Sequence, residues 1–115
     1  MDIRIITDPI SRDELRALAS KWYGTLLKGV VDIDRETVAL GGEWHIDASE
    51  ILVRDGSRAD NVWGFNILVN EPVTTAFEYH SLINLKPAKN HRAMEISDPE
   101  LRKKIFSIVS KKIIW

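Results

Sequence analysis

Apolar residues alternate at strand spacing through the middle of this chain and recur at helical spacing towards both ends. This combination restricts the fold to the α+β class. The plainest alternation covers residues 63–69, where every odd-numbered side chain is large and apolar. With 115 residues, the chain has the usual size of one domain. We therefore predict a single domain over residues 1–115, with a mainly antiparallel sheet of five or six strands and three helices chiefly on one face.

Two helix starts carry recognisable capping patterns. Ser11 and Glu14 form an S-x-x-E capping box, which predicts a helix over about 12–23. Asp98 is a suitable N-cap, and Pro99 after it suits the first helical position, so the last helix is predicted to begin there.

Further strands follow from the same alternation, and a polar connection at residues 34–36 predicts a hairpin. Leu27, Val31 and Ile33, which precede that connection, share one parity and supply its first strand. The remaining strands are predicted over residues 2–7, 37–46, 75–85 and 92–96.

The stretch GGEWHID, residues 41–47, combines two glycines with an imidazole and two carboxylates. Apolar parity continues across the glycines, which predicts one strand over about 37–46. Its even-numbered side chains, Trp44 among them, then face the core, whereas Glu43 and His45 point to the opposite face. A bulge at the glycines would reverse that assignment.

Glu43, His45 and Asp47 form an E-x-H-x-D pattern. Such a row can ligate a divalent metal, or it can place a histidine beside a carboxylate for general base catalysis. However, Asp47 followed by Glu50 also matches a capping box for a short helix over about 48–55. We assign Asp47 to that cap and predict no metal site.

A polar strip is predicted on one face of the sheet, formed by Asn66, His80 and Asn84 together with Glu43 and His45. Asparagine is unfavourable inside strands, so two of them at interior positions require an explanation. Two interpretations remain open: amide groups that bind a ligand, and a solvated face.

The loop Lys89-Asn90-His91-Arg92 adds a candidate anion contact, because the arginine fork of Arg92 binds carboxylate or phosphate in a bidentate manner. The leading hypothesis is a domain that binds a small polar or anionic ligand. Its candidate binding residues are Glu43, His45, Asn66, His80, Asn84 and Arg92.

The alternative hypothesis is a small hydrolase or nuclease. In it His45 acts as general base, Glu43 orients His45 or binds a metal, and Arg92 stabilises developing negative charge. No phosphate-binding loop, dinucleotide fingerprint, H-E-x-x-H pair or nucleophile elbow occurs in the sequence. The sequence therefore leaves open whether the protein is an enzyme, and it indicates no particular cofactor.

Charge is unevenly distributed along the chain. Residues 1–80 carry eight Lys or Arg against fourteen Asp or Glu, whereas residues 81–115 carry eight against three. The basic C-terminal segment can contact nucleic acid, or it can pair with the acidic remainder of its own fold. The last helix and its tail also hold surplus apolar residues, which either form a homodimer interface or complete the core.

Several classes of protein are excluded or disfavoured by composition. Without cysteine there can be neither a disulfide framework nor a thiolate metal site, which favours a reducing compartment. The N-terminus lacks the pattern of a signal peptide, and no apolar run approaches the length of a membrane span. We expect a cytoplasmic protein with no membrane partner.

Three segments resemble a small family known only as a domain of unknown function. They are Gly41-Gly42-Glu43-Trp44-His45-Ile46-Asp47-Ala48, Trp63-Gly64-Phe65-Asn66, and Ser81 to Pro87 continuing through Asn90 to Glu95. The likeness extends across nearly the whole chain, including the helix start at Asp98. It implies a domain that stands alone, and it implies no activity, substrate or catalytic residue.

Overall fold

In the computed structural model, which describes residues 2–115, the chain forms short strands, three α-helices and three 3-10 turns. The strands are β1 (Arg4–Ile5), β2 (Ile10–Ser11), β3 (Leu26–Asp32), β4 (Thr37–Leu40), β5 (Val62–Leu68), β6 (Phe77–Glu78) and β7 (Ile113–Ile114). The α-helices are α1 (Arg12–Ser20), α2 (His45–Arg54) and α3 (Pro99–Ser110). The 3-10 turns are Ala59–Asn61, Leu82–Asn84 and Pro87–Lys89.

The main sheet has five strands in the order β1-β4-β3-β5-β6, and all of its pairings are antiparallel. A separate pair joins β2 to β7 in parallel, which ties the C-terminus to the start of α1. The predicted α+β domain with a mainly antiparallel sheet and three helices is confirmed.

The two faces of the main sheet carry different helices. On one face, called here the α1/α3 face, Leu27, Phe65 and Ile67 join the larger apolar cluster together with residues of α1 and α3. On the opposite face, the α2 face, Val30 and Val62 join a smaller cluster with residues of α2. Two of the three helices thus share a face, and the third covers part of the other.

Local capping signals position α1 and α3 as predicted. The Ser11 hydroxyl accepts from the Glu14 amide at 3.1 Å, and the Glu14 carboxylate accepts from the Ser11 amide. The Asp98 carboxylate accepts from the Glu100 amide at 3.0 Å, with proline at the first position of α3. Helix α1 ends at Ser20, three residues before the predicted end.

The strand predicted over 37–46 is wrong beyond Leu40. Gly41 and Gly42 have φ values of +116° and +104°, so the chain leaves the extended conformation there. A Cβ on Gly41 would also lie 2.5 Å from the Asp2 carbonyl oxygen. The chain turns at these glycines onto the α2 face and begins α2 at His45. Consequently Trp44 and Ile46, predicted to face the core, are 61% and 49% exposed.

The long strand predicted over 75–85 is also largely wrong. Only Phe77–Glu78 forms a strand, and His80 makes an isolated bridge with Glu95. The Ser81 hydroxyl accepts from the Ile83 amide at 3.3 Å, which stabilises the turn that follows. The strand predicted over 92–96 is reduced to the same isolated bridge.

Part of the C-terminal apolar surplus packs within the chain. The rings of Phe106 and Trp115 lie 5.1 and 6.1 Å from that of Phe77, and Ile113 is buried. Of the large apolar residues in the tail, Ile114 remains exposed.

Among the helices of the described chain, none combines the length and apolar character needed to cross a membrane.

Candidate functional site

A cavity of about 650 Å³ lies on the α2 face, between the start of α2 and the segment around the second 3-10 turn. Strands β3 and β5 contribute one residue each to it. Its walls are mostly apolar, as in many sites for small molecules. The lining residues are Lys28, Trp44, His45, Ile46, Asn66, His80, Ser81, Leu82, Ile83 and Met94.

A row of three polar residues crosses the sheet at this cavity. Lys28 on β3 is the cross-strand partner of Asn66 on β5, and Asn66 is in turn the partner of Glu78 on β6. Cross-strand partners project on the same face of a sheet. The Asn66 amide nitrogen donates to the Glu78 carboxylate at 3.4 Å, which is a long hydrogen bond. Ammonium, amide and carboxylate therefore lie in line across three strands.

Asn66 is the middle of this row and is only 7% exposed. Its buried side-chain oxygen accepts no hydrogen bond of normal geometry among residues 2–115, and the side chain lies close enough to His45 to raise the pKa of that imidazole. An unpaired buried acceptor costs about 1–3 kcal/mol of stability.

Lys28 supplies positive charge to the cavity. Its ammonium nitrogen lies 5.4 Å from the centroid of the Tyr23 ring, within the range of a cation–π interaction. Within the described part of the chain, no carboxylate forms an ion pair with it. Lys28 is the one lysine or arginine among the described lining residues, and none of them is Asp or Glu.

His45 begins α2, and its ring closes the cavity against the sheet. The Nε2 atom lies 2.9 Å from the Phe65 carbonyl oxygen, which can only accept, so Nε2 carries the proton. Burial, with a smaller contribution from nearby Lys28, lowers the His45 pKa from 6.5 to about 4, while the hydrogen bonds to the Phe65 carbonyl and the Asn66 side chain oppose the shift. The imidazole is therefore neutral at pH 7, and a backbone carbonyl orients it rather than Glu43.

The segment carrying His80 and Ser81 forms the opposite wall. Ser81 is buried against Gly64 of β5, and a Cβ added to Gly64 would lie 2.5 Å from the Ser81 Cβ. Glycine at this position lets the segment lie directly on the strand.

A second cavity of about 380 Å³ adjoins the first and shares Asn66 and His80 with it. Its lining is more polar and includes Glu78, Tyr79, Glu95 and Arg102. Arg102 forms an ion pair with Glu95 at 2.9 Å and lies 4.8 Å from the centroid of the Tyr79 ring. Burial raises the Tyr79 pKa, so its phenol stays protonated at neutral pH.

The predicted site residues separate into two groups. His45, Asn66 and His80 line the larger cavity together. Glu43, Asn84 and Arg92 do not belong to its lining. Glu43 is exposed and uses its backbone carbonyl to accept from the Tyr23 hydroxyl, whereas Arg92 is exposed on its loop.

Asn84 is fully buried and bonded to backbone. Its side-chain oxygen accepts from the Gly64 amide at 2.8 Å. Its nitrogen donates to the carbonyls of Gly64 at 3.0 Å and Met94 at 3.1 Å. Both amide protons are thus used, and the side chain occupies the place of a strand beside β5.

The E-x-H-x-D pattern does not form a row on a strand. His45 and Asp47 lie in the first turn of α2, where the Asp47 carboxylate accepts from the Trp44 amide at 3.2 Å. Asp47 thus contributes to capping from the third helical position and not from the predicted N-cap, because α2 begins earlier than expected. Among residues 2–115, no three His, Cys, Asp or Glu side chains are grouped closely enough to hold a metal ion.

Sequence reasoning overlooked most of the cavity walls. Lys28 interrupts an otherwise apolar strand, which was the signal available for it. Four of the apolar wall residues carried no comparable signal, because their spacing matched that of core residues. They are Trp44, Ile46, Ile83 and Met94, whereas Leu82 has the opposite parity from the core residues of its predicted strand.

Comparison with known proteins identifies one family. Residues 4–112 match the family model described as "Protein of unknown function (DUF5674)". No curated protein and no solved structure matches the chain. The family description names no activity, so the function has to be inferred from the geometry of the cavities.

Proposed function

The chain belongs to the DUF5674 family, and we propose that it is a binding domain for a small organic anion with a mainly apolar body. The observation that carries this proposal is the Lys28 ammonium in the lining of a cavity with apolar walls, where no carboxylate of residues 2–115 forms an ion pair with it. Cavities of this size, with a few polar groups among apolar side chains, are typical of small-molecule sites.

The charge of the lining favours an anion. Lys28 is positive, and His45 is neutral at pH 7 because burial lowers its pKa to about 4. The described lining contains no carboxylate that would repel an anion. An anionic group beside Lys28 gains a charge-assisted hydrogen bond, while the apolar body is removed from water against the exposed Trp44 and Leu82.

The test compares octanoate with 1-octanol, which have the same chain length and differ in charge. Isothermal titration calorimetry should show octanoate binding about 10-fold more tightly, which corresponds to about 1.4 kcal/mol. The variant Lys28→Met should remove this preference. The variant Lys104→Met, at an exposed position of α3, should retain it.

Two results would contradict the proposal. Equal affinity for both compounds in the natural protein would show that charge is not recognised. Absence of octanoate binding, in a protein that unfolds cooperatively on heating, would show that the cavity does not bind this class of ligand.

A further inference from the structure

The row Lys28–Asn66–Glu78 spans both cavities. Lys28 belongs to the lining of the larger cavity, Glu78 to that of the smaller one, and Asn66 to both. Adjacent cross-strand partners lie about 5 Å apart between Cα atoms, so Lys28 and Glu78 are separated by about 10 Å. The row therefore presents opposite charges at the two ends of one extended site.

Neither charge in the row is neutralised by an ion pair. The salt bridges within residues 2–115 involve other carboxylates and other cations, including the pair that joins Arg102 to Glu95 in the smaller cavity. The hydrogen bond that Glu78 accepts comes from Asn66 at 3.4 Å. Because Asn66 stands between them, Lys28 and Glu78 do not pair with each other.

Asn66 adds an uncharged group midway along the row. Its side-chain oxygen is buried and therefore closed to a ligand, while its nitrogen donates to Glu78. The row thus presents a cation and an anion on either side of an uncharged amide, which is complementary to a molecule with a carboxylate at one end and an ammonium at the other.

We propose that the ligand is a zwitterion of tripeptide length, lying across the strands with its carboxylate at Lys28 and its ammonium at Glu78. A fully extended chain of three residues spans about 10 Å, which matches the length of the row. An apolar side chain of such a peptide enters the larger cavity. This inference rests on the proposed function, since the carboxylate is the anionic group that Lys28 binds.

The test uses the peptide Ala-Leu-Ala in three forms: with both termini free, with an acetylated N-terminus, and with an amidated C-terminus. Calorimetry should show that blocking either terminus weakens binding by about 10-fold, because each block removes one charge-assisted contact.

Variants identify which residue reads which terminus. In Glu78→Gln the free peptide should bind as weakly as the acetylated one, and affinity for the acetylated form should not change. In Lys28→Met the free peptide should bind as weakly as the amidated one, and affinity for the amidated form should not change. The matched control Glu71→Gln, at an exposed position outside both cavities, should leave all three affinities unchanged.

The outcomes separate this inference from the proposed function. If octanoate binds through Lys28 but acetylation and Glu78→Gln have no effect, the proposal of a zwitterionic ligand is overturned, whereas the proposal of an organic anion is supported. The same conclusion follows if octanoate binds and no form of the peptide does. If octanoate does not bind, the proposed function fails independently of the peptides.

Discussion

The two faces of the sheet present alternate residues of the same strands to different surroundings. On the α1/α3 face, Phe65 and Ile67 are fully buried in the larger apolar cluster. On the α2 face, the intervening Gly64 lies against Ser81, and Asn66 lines the larger cavity. Helix α2 covers only part of this face.

The α1/α3 face therefore contributes mainly to folding stability, and the α2 face is the one that carries the proposed ligand site. Burial of apolar area is the dominant favourable term in folding, and most of it lies on the α1/α3 face. The α2 face can then keep an open cavity, an unpaired amide oxygen and an unpaired ammonium. Residues on the two faces should therefore respond to substitution in different ways.

The largest expected effect is on the α1/α3 face. Phe65→Ala should lower the free energy of unfolding by about 3–5 kcal/mol, because it leaves a cavity in the packed cluster. On the α2 face Leu82 is 68% exposed, and Leu82→Ala should change the free energy of unfolding by no more than about 0.5 kcal/mol. Urea denaturation of both variants measures the contrast. Equal losses would show that the two faces contribute alike.

The second effect concerns pH and His45. Its pKa falls from 6.5 to about 4 in the folded protein because the ring is buried, so the unfolded chain binds the proton more tightly between these values. The free energy of unfolding is therefore unaffected by His45 above pH 6.5 and decreases as pH falls towards 4, by roughly 3 kcal/mol in total. Urea denaturation across this range measures that loss.

The matched variant for this prediction is His45→Gln, whose amide nitrogen can still donate to the Phe65 carbonyl. Its stability should fall less steeply between pH 6.5 and pH 4 than that of the natural protein. If both proteins lose stability in parallel, the acid sensitivity arises from groups other than His45.

The smallest effect has the opposite sign. Asn66→Leu replaces an amide whose oxygen is buried without a partner, so it should raise the free energy of unfolding by about 1 kcal/mol. A stability loss comparable to that of Phe65→Ala would show that Asn66 supports the fold and that the α2 face is not set apart for recognition.

Local signals in the sequence were sufficient for much of the fold. The capping box at Ser11, the Asp98-Pro99 helix start and the alternation over 63–69 each depend on residues close together in the chain, and each is confirmed. The strand over 37–46 failed for a conformational reason. Apolar parity continued across Gly41 and Gly42, but their positive φ values end the strand.

The candidate site was less predictable because its parts come from distant segments. His45, Asn66 and His80 were selected as members of one polar strip, and the structure brings them to one cavity, yet His45 arrives from the start of a helix. Lys28 becomes part of the cavity only through its register with Asn66. Cross-strand register is a tertiary property that a single sequence does not display.

Asn84 has a consequence for association between molecules. Unpaired amide and carbonyl groups at a sheet edge can pair with a strand of another chain, which leads to aggregation. Beyond the short β6, the Gly64 amide and carbonyl would be such groups, and the Asn84 side chain bonds both. One asparagine therefore closes a length of sheet edge that would otherwise require a further strand, and it helps to keep β5 from recruiting strands of other molecules.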